Sequence, residues 1–386
     1  MESSSSLLNV VNAGEESQAS AGKRRRASSF EKKRSALGAL DRVDLWERET
    51  FHLPLQALAA SIPGAQTLSM MLGATCTGEG LVCGFALLCW CISVEACIRG
   101  IWLVPVVEVL NGLIKWIFGR PRPGWNDPRV DVRSISHEYT FPSSHAMLSW
   151  SLASFFSLYW QAHDIGGGMS IPYACYALAA GVSLSRVFDG AHYPHDILVG
   201  GASGHFIGTF HHDTVLPFFL KGDLAAGDLA ASQPLSRLVL AGYVCTAAML
   251  VVTAFSYMIA TWRWGVPSKQ WQLLARVKND DLQPHFVPLF DYFGMCGVFA
   301  GLSTCEPTFD AARAGLSPIR SRVHGASRLM FGLTVLVGAW FAVRAVEKGM
   351  ATGVLSRLAL RFLRYFQVPV IILFVAPTLF ETIGIM

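Results

Sequence analysis

The sequence predicts an all-α fold, a polytopic transmembrane helix bundle of roughly eight spans, and three observations carry that expectation: composition, the length of the apolar runs, and their unbroken character. Of 386 residues, 52% are hydrophobic and only 15% charged, with a mean hydropathy of +0.40, which is too apolar for a soluble chain of this size. The apolar residues gather into runs at 78–97, 99–119, 143–160, 171–187, 197–220, 237–261, 329–346 and 365–383. Most approach the ~20 residues that cross a bilayer as a helix. Backbone in hydrocarbon must close its own hydrogen bonds, and continuous rather than alternating apolar runs mean helices, not a β-barrel. Weaker runs lie at 51–73, which contains His52, Pro54 and Pro63, and at 289–302.

Taken in chain order, residues 1–50 read as a disordered basic tail. They are rich in serine and carry the cluster Lys23-Arg24-Arg25-Arg26, followed by Lys32, Lys33 and Arg34. A basic flank before the first span orients the chain by the positive-inside rule, so the N-terminus is expected in the cytosol. Nucleic-acid binding is not expected of it. No signal-peptide pattern precedes residue 50, so the first spans are expected to serve as the membrane signal. Residues 221–386 form an expected additional C-terminal transmembrane region. The polar stretches 120–142, 262–288 and 303–328 read as loops outside the hydrocarbon. Nine cysteines are scattered or lie within apolar runs, as Cys83, Cys89, Cys91 and Cys97 do, without the paired spacing of a zinc site.

Three segments carry chemistry. At the end of the 99–119 run, Lys115-Trp-Ile-Phe-Gly-Arg-Pro-Arg-Pro123 brings Lys115 and Arg122 towards one locus before prolines end the helix. Glu108, Asn111 and Lys115 share one helical face, and polar groups in a span are costly enough that this face should point into the bundle. Phe141-Pro142-Ser143-Ser144-His145 opens the next helix, where free amides and the helix dipole favour an anion and His145 can give a proton. In Ser185-Arg186-Val-Phe-Asp-Gly-Ala-His192-Tyr-Pro-His-Asp196, the carboxylate sits one turn from an imidazole, able to hold one ring nitrogen and leave the other nucleophilic. Each segment alone also has a plain structural reading: snorkelling cations, a capped helix, a structural histidine.

In order and spacing these segments resemble the three motifs of the type 2 phosphatidate phosphatase superfamily: Lys, six residues, Arg-Pro; Pro-Ser-(Gly/Ser/Thr)-His; Ser-Arg, five residues, His, three residues, Asp. Every motif position is filled between 115 and 196, with Ser144 in the place often taken by glycine. The resemblance implies a six-helix catalytic core over about 51–220 and a phosphohistidine mechanism. His192 would attack phosphorus, Asp196 orient it and His145 protonate the leaving oxygen, while Lys115, Arg122, Ser143, Ser144 and Arg186 hold the phosphoryl oxygens. No metal or other cofactor is expected, since cations and helix N-termini can stabilise a transferring phosphoryl group. Asp127, Asp131 and Glu138 read as solvated loop residues. The implied substrate is a phosphorylated lipid, first a sphingoid-base phosphate, with polyprenyl diphosphate or phosphatidate as alternatives. Transfer of a lipid headgroup and non-catalytic binding of an anionic lipid are the readings outside hydrolysis. The resemblance places the protein in the endoplasmic reticulum membrane with the site facing the lumen, which requires 51–73 to cross.

Overall fold

The computed structural model describes residues 39–133, 136, 138–163, 168–217, 236–264, 286–315, 325–350 and 353–385. The basic clusters at 23–34 and the expected core boundary at 220/221 lie outside these residues. The chain divides into two compact units, Met1–Phe51 and His52–Met386. In the first, the expected disorder does not extend to α1 (Ala39–Glu47), where Leu40, Val43, Leu45 and Trp46 interrupt the polar composition.

All regular structure among the described residues is helical. The second unit opens with α2 (Leu53–Ser61) and α3 (Ala65–Ala74), so the 51–73 run is not one span. Pro63 and Gly64 break it, and Gly64 adopts φ 81°, a left-handed conformation that glycine tolerates without penalty. Helix α4 (Gly78–Leu87) is capped by Thr77, whose hydroxyl accepts from the Gly80 amide at 3.2 Å, and runs on as a wider π turn to Ile92. Extended Ser93 then stops the helix and caps α5 (Val94–Ile101) by accepting from the Ala96 amide at 3.1 Å. Helix α6 (Leu103–Phe118) ends at Gly119, again left-handed, before a short α7 (Pro123–Asn126).

Helices α8 (Ser144–Ala162), α9 (Ser170–Phe188) and α10 (Pro194–Phe210) follow. The C-terminal region contributes α11 (Ser236–Trp264), α12 (Phe286–Gly315), α13 (Gly325–Met350), α14 (Val354–Val370) and α15 (Ala376–Thr382). Helix α12 absorbs the weak 289–302 run and continues through 303–315, where a loop was expected.

Among the described residues, five helical stretches are long and apolar enough to cross a bilayer: Val94–Asn126, Ser170–Phe188, Gly242–Arg263, Gly325–Glu347 and Val354–Thr382. The α3–α4 pair, bent by 69°, meets the same test jointly, as a broken span or a re-entrant loop. That is fewer than the roughly eight expected from apolar runs. Helices α8 and α10 account for two of the missing spans. Ser149, Ser151, Ser154 and Ser157 lower the hydropathy of α8, and α10 is only 17 residues long.

That composition serves packing. A Cβ on Gly200, Gly204 or Gly208 would lie 2.7, 2.1 and 2.2 Å from the carbonyl oxygens of Ser143, Met147 and Ser151, so a glycine stripe lets α10 lie against the backbone of α8. The stripe brings the N-termini of both helices to one place. The principal apolar core joins this half to the C-terminal helices, packing Phe85, Trp90 and Ile101 with Leu302, Leu336, Ile372 and Phe380. The Trp90 indole donates to the Ile372 carbonyl at 2.9 Å and rests on Gly332, where a Cβ would come within 2.4 Å of the ring.

Candidate active site

Three turns converge where α6 ends, α8 begins and α9 passes into α10. His192 lies in the last of these, after Gly190, whose φ of 66° permits the reversal and whose missing side chain leaves room for the Asp131 carbonyl. The ring is 2% exposed. Its Nε2 lies 3.3 Å from Arg122 Nη1, and Nδ1 lies 3.5 Å from Asp196 Oδ2. His52 Nε2 donates to the His192 carbonyl at 2.8 Å and pins the backbone. Burial, with the Arg122 guanidinium beside it, pushes the imidazole down to about 3 against the pull of Asp196, so the ring is neutral.

Asp196 occupies the first turn of α10, where Oδ2 accepts from its capping partner Tyr193 N–H at 2.8 Å. Its other oxygen lies 3.1 Å from His195 Nε2, which in turn meets Arg120 Nη1 at 2.9 Å. Arg122 is held by backbone: Nε donates to the Glu138 carbonyl at 2.7 Å and Nη1 to the Ala191 carbonyl at 3.0 Å. Carbonyl partners fix the guanidinium without neutralising it. Lys115 is 2% exposed rather than snorkelling, pairs with the Glu138 carboxylate, and donates to Ser144 Oγ at 3.3 Å. Asn111, one turn back, donates to the Pro142 carbonyl at 3.3 Å, tying α6 to the start of α8.

His145 is partly exposed in the first turn of α8, within electrostatic reach of Arg186, His192, Lys115 and Arg122. Ser143 is fully buried, and its roles are local. Its hydroxyl caps α8 and its amide donates to the Asp196 carbonyl at 3.1 Å, so that amide is not free for an anion as expected. Arg186 turns to Asp189 at 2.7 Å, with its guanidinium against Gly73 of α3, where a Cβ would meet Nη2 at 1.7 Å. Ser69, also on α3, donates to Asp189 Oδ1 at 2.8 Å, so the bent α3–α4 pair holds this arginine from behind.

Sequence reasoning missed four participants. Glu138 is not a solvated loop residue, for burial opposes its ionisation but Lys115, then Arg122 and His192, hold its carboxyl below the ordinary value. Asp127 is likewise buried, paired with Arg129 at 2.7 Å. Thr140, two residues before Pro142, is wholly enclosed, with its hydroxyl between His192 and Asp196. Tyr292 of α12 lies over Gly112, where a Cβ would meet the ring at 2.1 Å, and edge-on to Trp116 at 5.1 Å. The C-terminal region thereby buttresses the helix that carries Lys115. Proximity to a motif was the only sequence signal for Glu138 and Thr140, and Tyr292 had none.

Set against known families, residues 85–217 match the model of the PAP2 superfamily. No curated protein and no solved structure matches the chain.

Proposed function

We propose, from the premise that residues 85–217 of this chain belong to the PAP2 superfamily, that the protein is an integral membrane phosphatase hydrolysing a lipid phosphomonoester through phosphohistidine. The carrying observation is the pairing of His192 and Arg122. One ring nitrogen faces Asp196 and the other faces, at 3.3 Å, a guanidinium whose own partners are backbone carbonyls. A phosphoryl group entering between them meets a nucleophile and a planar cation together.

In the first step His192 Nε2 bonds to phosphorus, the bond to the lipid oxygen breaks, and His145, whose ring burial and the surrounding cations hold well below the ordinary value until the entering phosphate offsets those cations, delivers its proton to that oxygen. In the second, water attacks phosphorus, His145 takes the water's proton and the P–N bond breaks. Lys115, Arg122 and the Ser144 hydroxyl hold phosphoryl oxygens, and Arg186 joins them by turning from Asp189 to the phosphate. Glu138 is engaged by Lys115, and Asp196 Oδ2 by Thr140 and the Tyr193 amide, and the roles assigned here are filled by the chain's own cations without a divalent ion.

The preferred substrate is a phosphorylated long-chain base. Once phosphate takes Lys115, the Glu138 carboxylate is released beside the headgroup, where an ammonium can pair with it. Phosphatidate has no such cation. Purified protein should release phosphate faster from a long-chain base phosphate than from phosphatidate, and Glu138→Gln should narrow that preference by about tenfold. An unchanged preference would discard the amine reading; no phosphate release from any lipid would discard the phosphatase.

We place the protein in the endoplasmic reticulum with the site luminal and the N-terminus cytosolic. This requires the α3–α4 pair to be re-entrant, because a single crossing there returns Arg122 to the side of the N-terminus. A cysteine introduced at Asp131 and labelled only from the cytosol would overturn it.

A further inference from the structure

The two nitrogens of His192 are not equivalent, and their partners settle which carries the proton. Arginine has no acceptor, so the contact of Arg122 Nη1 with Nε2 at 3.3 Å requires a lone pair on Nε2. In the neutral ring the hydrogen is then on Nδ1. Two acceptors face it. Asp196 Oδ2 is 3.5 Å away, beyond the usual 2.7–3.2 Å of an N–H···O bond, while Thr140 Oγ1 is at 3.2 Å. The Thr140 hydroxyl has its own hydrogen to place, and it donates to Asp196 Oδ2 at 2.5 Å, the length of a charge-assisted bond.

We propose that Thr140 is a positioning residue that relays the Asp196 carboxylate to the nucleophile, in the order His192 Nδ1–H to Thr140 Oγ1–H to Asp196 Oδ2. The inference rests on His192 being the nucleophile. Thr140 is 0% exposed, and its own N–H donates to the Arg120 carbonyl at 2.9 Å, so the hydroxyl is held where both bonds can form. Asp196 has little freedom to approach, since Oδ2 also accepts from the Tyr193 amide and Oδ1 lies beside His195. When Nε2 bonds to phosphorus the ring becomes cationic with its hydrogen still on Nδ1. The oriented hydroxyl then stabilises that charge against the carboxylate, with no proton crossing to Asp196.

The test is a double-mutant cycle on phosphohistidine formation, measured as acid-labile label trapped from a radiolabelled lipid phosphate. Thr140→Val keeps the shape and removes the relay; it should slow labelling by about 10- to 100-fold with KM little changed, and Thr140→Ser should restore it to within about threefold. Combined with Asp196→Asn, Thr140→Val should add almost nothing. Full additivity, or failure of serine to rescue, would overturn the relay. Nitrogen-15 shifts of His192 provide a readout independent of turnover. Wild type should show Nδ1–H, and an Nε2–H ring would refute the relay. Absence of label on wild-type His192 despite phosphate release would instead remove the nucleophile on which the relay depends.

Discussion

Two regions bury charge in this protein and use it differently. Around the motifs, Lys115 and Arg122 approach His192 with partners that an anion can displace or that carry no formal charge: Glu138 on Lys115, and backbone carbonyls on Arg122. Between α12, α13 and α14, two cations meet two carboxylates and close on themselves. Arg361 reaches Asp291 at 2.9 Å and Glu347 at 3.2 Å, Arg364 reaches Glu347 at 2.7 Å, and the Arg364 guanidinium lies over Trp340 at 4.7 Å. A charge in a span therefore does not by itself mark chemistry. What separates the two regions is whether neighbouring carboxylates cancel the charge, as they do on Arg361 and Arg364, or backbone carbonyls leave it uncancelled, as they do on Arg122.

The comparison breaks most sharply at His192. His192→Ala should abolish turnover of every substrate, by about 10⁴-fold or more, and form no acid-labile phosphoenzyme. His145→Ala should lose the lipid substrate yet still be phosphorylated by an aryl phosphate, whose phenolate leaves without a proton. Label mapped to His145 would reverse the two roles.

Arginine replacements test the distinction between regions directly. Arg122→Lys keeps the charge and loses the fork of donors, and should cost about 10²- to 10³-fold in kcat with the melting temperature nearly unchanged. Arg364→Met should do the reverse: stability in detergent falls by about 1.5–3 kcal/mol as Glu347 loses one charged hydrogen bond and keeps Arg361, while kcat of the folded fraction holds. If Arg364→Met lowered kcat as Arg122→Lys does, the closed network would belong to the site after all.

A smaller effect follows from the buried neutral ring. The folded value of His192, about 3, lies below the ordinary histidine value of 6.5, so between these the unfolded chain binds a proton that the folded protein refuses. Stability conferred on the neutral ring is intact above about 6.5 and is lost as pH falls towards about 3, by at most about 1.4 kcal/mol per pH unit. The melting temperature of wild type should drop faster than that of His192→Asn between pH 6.5 and 4; parallel curves would show that His192 is not held neutral. The smallest expected effect is that of chelation. EDTA should leave kcat within about twofold, and loss of turnover restored by Mg²⁺ would overturn the metal-free assignment.

The helical class, the membrane character and the three motif loci were determined by sequence alone, because each depends on local quantities: apolar length, helix-ending prolines, and side chains one turn apart. Lys115, Arg122, His192 and Asp196 were named from the motif spacing and the resemblance it carries, and the fold gathers the turns that bear them. Span number could not be read so simply. Apolar runs do not reveal that Gly64 and Ser93 break them, or that the serines and glycines of α8 and α10 serve a close helix contact. Partner choice was equally out of reach. Glu138 on Lys115, Thr140 between His192 and Asp196, Asp189 on Arg186 and Tyr292 against Gly112 differ from their solvated or apolar alternatives only by which backbone comes near. Only the tertiary structure decided these, since a buried polar group takes its partner from whatever helix is packed beside it, and sequence separation carries no record of that distance.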